Sequence, residues 1–412
     1  MPSPRSLQLS QGVLPSGLRI LHYQADSRVA YLALLVGVGS RDELPTEHGL
    51  AHLIEHMLFK GTATRNAFQV SSRLENVGGE LNAYTSKEET AIQAAFVPTD
   101  LPRALEIVAD IACRASFPAQ ELEREREVVL EEIASYRDSP AELIFDDFED
   151  LLFGPHPLGH SILGVPARVK RFTREDMLRF IAREYAPQRM VLCSCGPYGF
   201  TRFSSLAARH FAGLAGPSTL SLRAQFSTTS PQCRVTRLRT AQSHTVVGAP
   251  AYSMGHPSSS ALALLANLLG GYASTALLNR RLRERAGLAY TVECGYTGYS
   301  DTGVFTIYFG TDPANLPRAF DLLYRELREI CNQPLSSSRL HIAKRQFLGQ
   351  LYLGSENLES IMLGAGRRLL MGLEPISFQE AEDEVEAITA DEMQQVAREV
   401  VNPDGLYALI YK

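Results

Sequence analysis

The chain has 412 residues, of which 45% are hydrophobic and 21% are charged, an ordinary globular composition long enough for about two or three domains. Its net charge of −6 gives no reason to expect a nucleic-acid partner. No apolar run approaches the roughly 20 residues of a membrane helix, and the N-terminal stretch lacks the apolar core of a secretory signal. The six cysteines are scattered and form no C-x-x-C pair. We therefore expect a cytoplasmic protein without nucleic-acid or membrane partners.

The first half of the chain alternates between strand and helix patterns. The strings "GLRILHYQ", "VAYLALLVGVGSRDE" and "LNAYTSKEETAIQAAFVPTD" are typical of strands. From His48 to about Phe59 the pattern predicts a helix, with a buried stripe formed by Leu50, Leu53, Met57 and Leu58. A second helix over "LPRALEIVADIACRA" and a long acidic helix over "AQELEREREVVLEEIASYRD" follow.

The second half repeats the first. The Ser-, Thr-, Gly- and Pro-rich string "GLAGPSTLSLRAQFSTTS" predicts a linker at 216–230. An offset of 215 residues aligns Tyr84 with Tyr299 and Leu101 with Leu316, and each copy continues from a strand through a Thr-Asp turn into Leu-Pro-Arg-Ala at a helix start. The sequence therefore predicts two similar α+β domains, at 1–215 and 231–412.

The string "HLIEH" inside the first helix carries a candidate metal site. His52 and His56 are four residues apart, so they share one helical face and can direct two imidazole nitrogens at one ion. Glu55 precedes the second histidine and can reach a water molecule beside them. Chance would produce about 0.03 such strings in this composition. The alternative is a pair of ordinary core histidines; the aligned second-half string, "ALALLANLLGG", has neither histidine nor acid.

The acidic helix offers a third metal ligand. Glu125 and Glu132 are two turns apart and share a face, and two carboxylates in one place are costly unless a cation neutralises them. Spacing alone does not choose among Glu125, Glu131 and Glu132. The alternative is a solvated acidic face paired with Arg124 and Arg126.

These motifs resemble the M16 metallopeptidases, the family of pitrilysin, insulysin and mitochondrial processing peptidase. "GLAHLIEHMLFKGT" is similar to the family's inverted H-x-x-E-H zinc motif. "LENVGGELNAYTSKEET", "EREREVVLEEI", "HPLGHSILG" and "LGGYASTALLNRRLRERAGLAYTV" resemble further family segments in the same order. The resemblance implies one zinc ion per chain bound by His52, His56 and Glu132, with Glu55 as general base.

The resemblance also assigns supporting residues. It implies that Glu125 hydrogen-bonds the first histidine of the motif and fixes its tautomer. Arg283 and Tyr290 match an arginine–tyrosine pair that contacts bound peptide, and Tyr290 would steady the oxyanion; the alternative for Tyr290 is a core tyrosine in a strand. Asn82 and Ala83 match the edge strand to which a peptide substrate adds. The family's glycine-rich turn is altered to "GGY" here.

The expected fold is α+β, with two homologous domains that each contain a mixed or antiparallel sheet covered by helices on one side, together forming half of a clamshell. The expected function is zinc-dependent endopeptidase activity on peptides or unfolded segments inside a dimeric chamber. Some family members fuse four such domains in one chain, whereas this chain has two and in this respect resembles the processing-peptidase branch. That resemblance implies a homodimer, or a heterodimer with a related subunit. The alternative function is a non-catalytic or partner-dependent subunit.

Overall fold

The computed structural model describes residues 7–217 and 222–412. Residues 218–221 of the predicted linker lie outside these ranges. Contacts divide the described residues into two compact units: the first lies within 1–133, 160–223 and 355–375, and the second lies within 134–159, 224–354 and 376–412.

The first unit is built on one mixed sheet. Its strands are β1 Gln8–Val13, β2 Arg19–Gln24, β3 Ala30–Val36, β4 Glu80–Thr85, β5 Thr90–Phe96 and β6 Met190–Gly196. Its helices are α1 Leu50–Leu58, α2 Ala67–Glu75, α3 Leu101–Arg114, most of α4 Ala119–Arg137, α6 Pro166–Val169, α7 Arg174–Glu184, α8 Phe200–His210 and α12 Leu358–Leu370. The strand order is β1-β2-β6-β3-β5-β4, with β2 and β6 parallel and the other pairs antiparallel.

The second unit is built on another mixed sheet. Its strands are β7 Cys233–Thr236, β8 Ser243–Ala251, β9 Ala289–Gly298, β10 Gly303–Thr311 and β11 Tyr407–Tyr411. Its helices are α5 Pro140–Phe153, α9 Ser259–Gly270, a π-helix Asn279–Arg285, α10 Leu316–Asn332, α11 Ser337–Gly354, α13 Phe378–Ala387 and α14 Ala390–Val400. The strand order is β7-β11-β8-β10-β9, with β7 and β11 parallel and the other pairs antiparallel.

The two sheets share one topology. If β1 is set aside, the orders β2-β6-β3-β5-β4 and β7-β11-β8-β10-β9 correspond strand for strand, including the single parallel pair. The helices α3 and α10 begin at Leu101 and Leu316, which the offset of 215 residues aligns. The predicted duplicated α+β architecture is therefore confirmed.

Each sheet also carries one helix on the face opposite its main helical layer. In the first unit, Leu34 joins the core under α1 and α3, whereas Leu35 joins a separate cluster with Leu358 and Met362 of α12. Neighbouring strand residues point to opposite faces, so the two clusters lie on the two sides of the sheet. In the second unit α5 has the corresponding place, with Phe148 packed against strand residues.

These two helices make the compact units differ from the predicted domain limits. The segment 134–159, which carries α5, groups with the second unit, and the segment 355–375, which carries α12, groups with the first. The predicted limits were placed at the linker 216–230 because of its composition. Composition does not show against which sheet an amphipathic helix packs.

The helix α1 lies on the core of the first unit. The predicted stripe is confirmed, because Leu50, Leu53, Met57 and Leu58 are all buried. This packing fixes the rotation of α1 about its axis and therefore the direction of its other face. Among the described residues, no helix combines the length and apolar character needed to cross a bilayer.

Candidate metal centre

Two histidines on α1 approach one carboxylate on α4. His52 Nε2 lies 3.7 Å from Glu132 Oε2, and His56 Nε2 lies 3.4 Å from the same oxygen. The two imidazole rings are 4.7 Å apart and inclined by 70°. The i, i+4 spacing thus brings both Nε2 atoms beside one carboxylate oxygen, as two residues on one helical face allow.

The donor set fits a zinc ion. One ligand atom from each of His52, His56 and Glu132 lies within 4.8 Å of the others, the one such group of three among the described residues. Tetrahedral zinc with bonds of about 2.0–2.1 Å separates its ligand atoms by roughly 3.3 Å, close to the two measured separations. Two imidazoles and one carboxylate leave a fourth position for water. The structure brings Glu132 to both histidines and does not place Glu131 in this group.

Burial keeps His52 neutral. The residue is 7% exposed, and burial, followed by the charge of His56, lowers its pKa to about 3. A neutral imidazole retains the lone pair that a metal requires. Burial raises the pKa of Glu55, the half-buried carboxyl that precedes His56 on the same helix.

Glu125 contacts the second histidine of the motif. Its Oε2 lies 3.3 Å from His56 Nδ1, while His52 Nδ1 has no hydrogen-bond partner in the described structure. The expectation that Glu125 bonds the first histidine is therefore wrong. The reason is geometric: Glu125 is two helical turns before Glu132 on α4, and it lies beside the C-terminal end of α1, where its Oε1 is 2.7 Å from Lys60 Nζ.

The start of α1 is fixed by a residue that the sequence analysis missed. Glu43 is buried and accepts hydrogen bonds from the Gly49 and Ala51 N–H groups at 3.0 and 2.8 Å. His160 Nε2 lies 3.0 Å from the same carboxyl. Burial raises the pKa of Glu43 well above its usual value, while the backbone donors act against that rise. The available signal was "HPLGHSILG", which contains His160 and resembles a family loop.

Asn82 and Ala83 lie on β4, an edge strand of the first sheet. Ala83 N–H donates to Asn82 Oδ1 at 2.9 Å. A partner strand that used this N–H would have to displace the Asn82 side chain. Because β4 is at the edge of the sheet, these residues have the position that strand addition requires.

Arg283 and Tyr290 lie in the second unit. Tyr290, on the edge strand β9, is 56% exposed, so the alternative of a core tyrosine is wrong. Its hydroxyl lies 3.5 Å from Asp312 Oδ2. Arg283 belongs to the π-helix and lines a cavity of about 340 Å³ that also includes the Gly270–Tyr272 turn, Asn279 and Glu293.

Two family models match the chain. Residues 19–165 match the model described as insulinase (peptidase family M16), and residues 171–347 match the model described as peptidase M16 inactive domain. The first match contains His52, Glu55, His56 and Glu132. The second match contains the aligned string "ALALLANLLGG", which lacks a histidine pair.

Similar proteins extend over nearly the whole chain. The chain is 33% identical over 394 residues to an uncharacterized zinc protease of Mycobacterium tuberculosis, covering 94% of this chain and 90% of the relative. It is 31% identical over 399 residues to the uncharacterized zinc protease YmxG of Bacillus subtilis, covering 96% of both. It is 28% identical over 402 residues to the mitochondrial-processing peptidase subunit beta of Bos taurus, covering 94% of this chain and 81% of the relative.

Solved structures share the fold. A peptidase M16 inactive domain from Pseudomonas fluorescens superposes with a TM-score of 0.92 at 20% identity, covering 98% of each chain. A protease from Helicobacter pylori superposes with a TM-score of 0.89 at 20% identity, covering 98% of this chain and 99% of that one.

Proposed function

The chain belongs to peptidase family M16, and from that premise we propose that it is a zinc-dependent endopeptidase that hydrolyses peptides or unfolded segments. The observation that carries the proposal is the convergence of His52, His56 and Glu132, whose ligand atoms lie within 4.8 Å of one another. Relatives that are named zinc proteases support the choice of metal.

The metal would be held by the two Nε2 atoms and the Glu132 carboxylate, one ion per chain. Bound zinc supplies a Lewis acid that acidifies water and polarises a carbonyl. Glu55 acts as general base: its carboxylate accepts a proton from the attacking water and returns it to the leaving amine. Glu55 lies directly before His56 on α1, so it is close to the ligands. It is not one of the three residues whose ligand atoms converge.

Substrate binding is proposed to use strand addition. An extended peptide would pair with β4 at Asn82 and Ala83, so that main-chain hydrogen bonds hold it and a folded protein is excluded. Arg283 and Tyr290 are proposed to contact the peptide from the second unit, with the Tyr290 hydroxyl as a donor to the developing oxyanion. The exposure of Tyr290 supports this role.

A partner is part of the proposal. One relative is named as a subunit of a peptidase, which supports a homodimer or a heterodimer with a related chain that encloses the substrate.

All six cysteines are free, in keeping with the proposed reducing, cytoplasmic environment.

The test is a chelation and reconstitution experiment on the purified chain. Zinc content is measured beside cleavage of a long unstructured peptide, before chelation, after chelation and after zinc is returned. About one zinc per chain and activity that follows the metal support the proposal. Zinc bound without cleavage, with activity restored by a related subunit, favours the partner-dependent alternative. A chain that binds no zinc contradicts both the zinc site and the peptidase.

A further inference from the structure

Lys60 holds the second oxygen of the carboxylate that contacts His56. Lys60 Nζ lies 2.7 Å from Glu125 Oε1, and Glu125 Oε2 lies 3.3 Å from His56 Nδ1. The Glu125 side chain is 11% exposed and the Lys60 side chain 29%. One carboxylate therefore bridges an ammonium group and an imidazole ring in a mostly buried place.

The sequence places Lys60 on the histidine side of α1. It follows His56 by four residues, just as His56 follows His52. The helix ends at Leu58, but the Lys60 N–H still donates to Met57 O at 3.2 Å, which continues the turn beyond the last helical residue. The Lys60 side chain therefore returns toward the face that carries both imidazoles.

We propose that Lys60 is a positioning residue for the metal centre: it fixes the Glu125 carboxylate, which in turn fixes the ring and tautomer of His56. This inference rests on the proposed zinc site. A buried carboxylate with a single neutral partner is costly and free to turn, whereas contacts at both oxygens leave it one orientation. In that orientation Oε2 accepts the Nδ1 proton of His56, and the lone pair of Nε2 faces Glu132.

Orientation and simple charge predict opposite effects on zinc affinity. An ammonium group near the site repels a divalent cation, so if Lys60 acted only by charge, its removal would tighten zinc binding. If Lys60 acts by holding Glu125, its removal loosens the support of His56 and weakens zinc binding. The sign of the change therefore separates the two roles.

The experiment measures the zinc dissociation constant by competition with a chromophoric chelator at fixed pH. The variants are wild type, Lys60→Met, Lys60→Arg, Glu125→Gln and the double variant Lys60→Met/Glu125→Gln. The control Lys170→Met makes the same change at an exposed lysine in the same unit. Thermal unfolding of each metal-free protein checks folding, and Lys60→Gln replaces Lys60→Met if that variant does not fold.

We expect Lys60→Met to weaken zinc binding by about 10- to 100-fold, the usual cost of losing an outer-shell partner. Lys60→Arg retains most of the affinity because a guanidinium can donate to the same oxygen. The double variant binds no more weakly than Glu125→Gln alone, since Lys60 acts through Glu125. Unchanged or tighter binding in Lys60→Met, or additive losses in the double variant, overturn the inference while leaving the zinc site intact. A wild type that binds no zinc overturns the proposed function and this inference together.

Discussion

His56 Nδ1 faces Glu125 Oε2 at 3.3 Å, while Nε2 of the same ring faces Glu132 Oε2 at 3.4 Å. The two carboxylates come from one face of α4, two turns apart. A single helix thus supplies the proposed metal ligand on one side of the imidazole and its hydrogen-bond partner on the other.

Glu132→Gln should remove a metal ligand. Loss of a residue that only supports a metal ligand lowers metal affinity by about 10- to 100-fold. We expect a larger fall in zinc affinity here, because the amide oxygen of Gln carries no charge to neutralise the ion. Glu131→Gln, at the exposed neighbouring position, is the control and should bind zinc like the wild type. Equal losses in both variants, measured by chelator competition, would show that only the charge of the helix matters.

Glu125→Gln should weaken the site without abolishing it. The amide can still contact His56 but cannot match the carboxylate as an acceptor, so we expect zinc affinity to fall by about 10- to 100-fold. Glu127→Gln, exposed on the same helix, serves as the matched control. An affinity unchanged in Glu125→Gln would mean that the 3.3 Å contact with His56 plays no part in metal binding.

Gly164→Ala should destabilise the first unit near the start of α1. Gly164 has a φ of 76°, and an added Cβ would lie 2.3 Å from Gly49 Cα and from His48 O. Strain at such a position costs about 1–3 kcal/mol, before the backbone clash is counted. Gly364→Ala, in the exposed interior of α12 with open space around it, should instead stabilise by about 0.5–1 kcal/mol. The free energy of unfolding of both variants, measured in denaturant, tests this contrast. A Gly164→Ala variant as stable as the wild type would contradict the close approach of Gly164 to Gly49 and His48.

Acid should destabilise the first unit through Asp110. Burial raises the pKa of this carboxyl, but hydrogen bonds from Arg114, Thr62 and Arg65 outweigh burial, and the net pKa lies below its usual value. A depressed native pKa means that the stabilisation is present above the unfolded-state pKa, about 3.9, and is lost as the pH falls through the native pKa.

The variant Asp110→Asn isolates this effect, because it keeps the shape and removes the titration. We expect it to be less stable than the wild type at pH 7, with the difference shrinking as the pH drops below about 4. The measurement is the free energy of unfolding in urea at a series of pH values. A difference that stays constant with pH would show that the carboxyl charge is not the source.

Much of this arrangement was predictable because it depends on local periodicity. The stripe of Leu50, Leu53 and Met57 predicted which face of α1 is buried, and the i, i+4 rule predicted that His52 and His56 share one face. The gap-free offset of 215 residues predicted the duplication that the two sheets display.

The remainder depends on contacts between elements that no spacing specifies. The spacing on α4 left Glu125, Glu131 and Glu132 open, because the choice depends on how α4 lies against α1. The same uncertainty explains the wrong histidine for Glu125 and the missed Lys60. Glu43 was missed because its contacts with His160 and with the start of α1 also join separate segments of the chain. The sequences of α5 and α12 do not indicate which sheet each helix covers. An apolar stripe predicts that one face of a helix is buried, but not the sheet against which that face packs.

The role of Glu55 as general base at a zinc site is tested most directly by comparing wild type with Glu55→Gln for zinc content and for the kcat of peptide cleavage. The substitution removes the proposed base and leaves both imidazoles and Glu132 in place. We predict about one zinc per chain in both proteins and a kcat lower by about 10²- to 10⁴-fold in the variant, the range of general acid–base catalysis. A Glu55→Gln variant that holds zinc and cleaves like the wild type would contradict the role of Glu55 as general base.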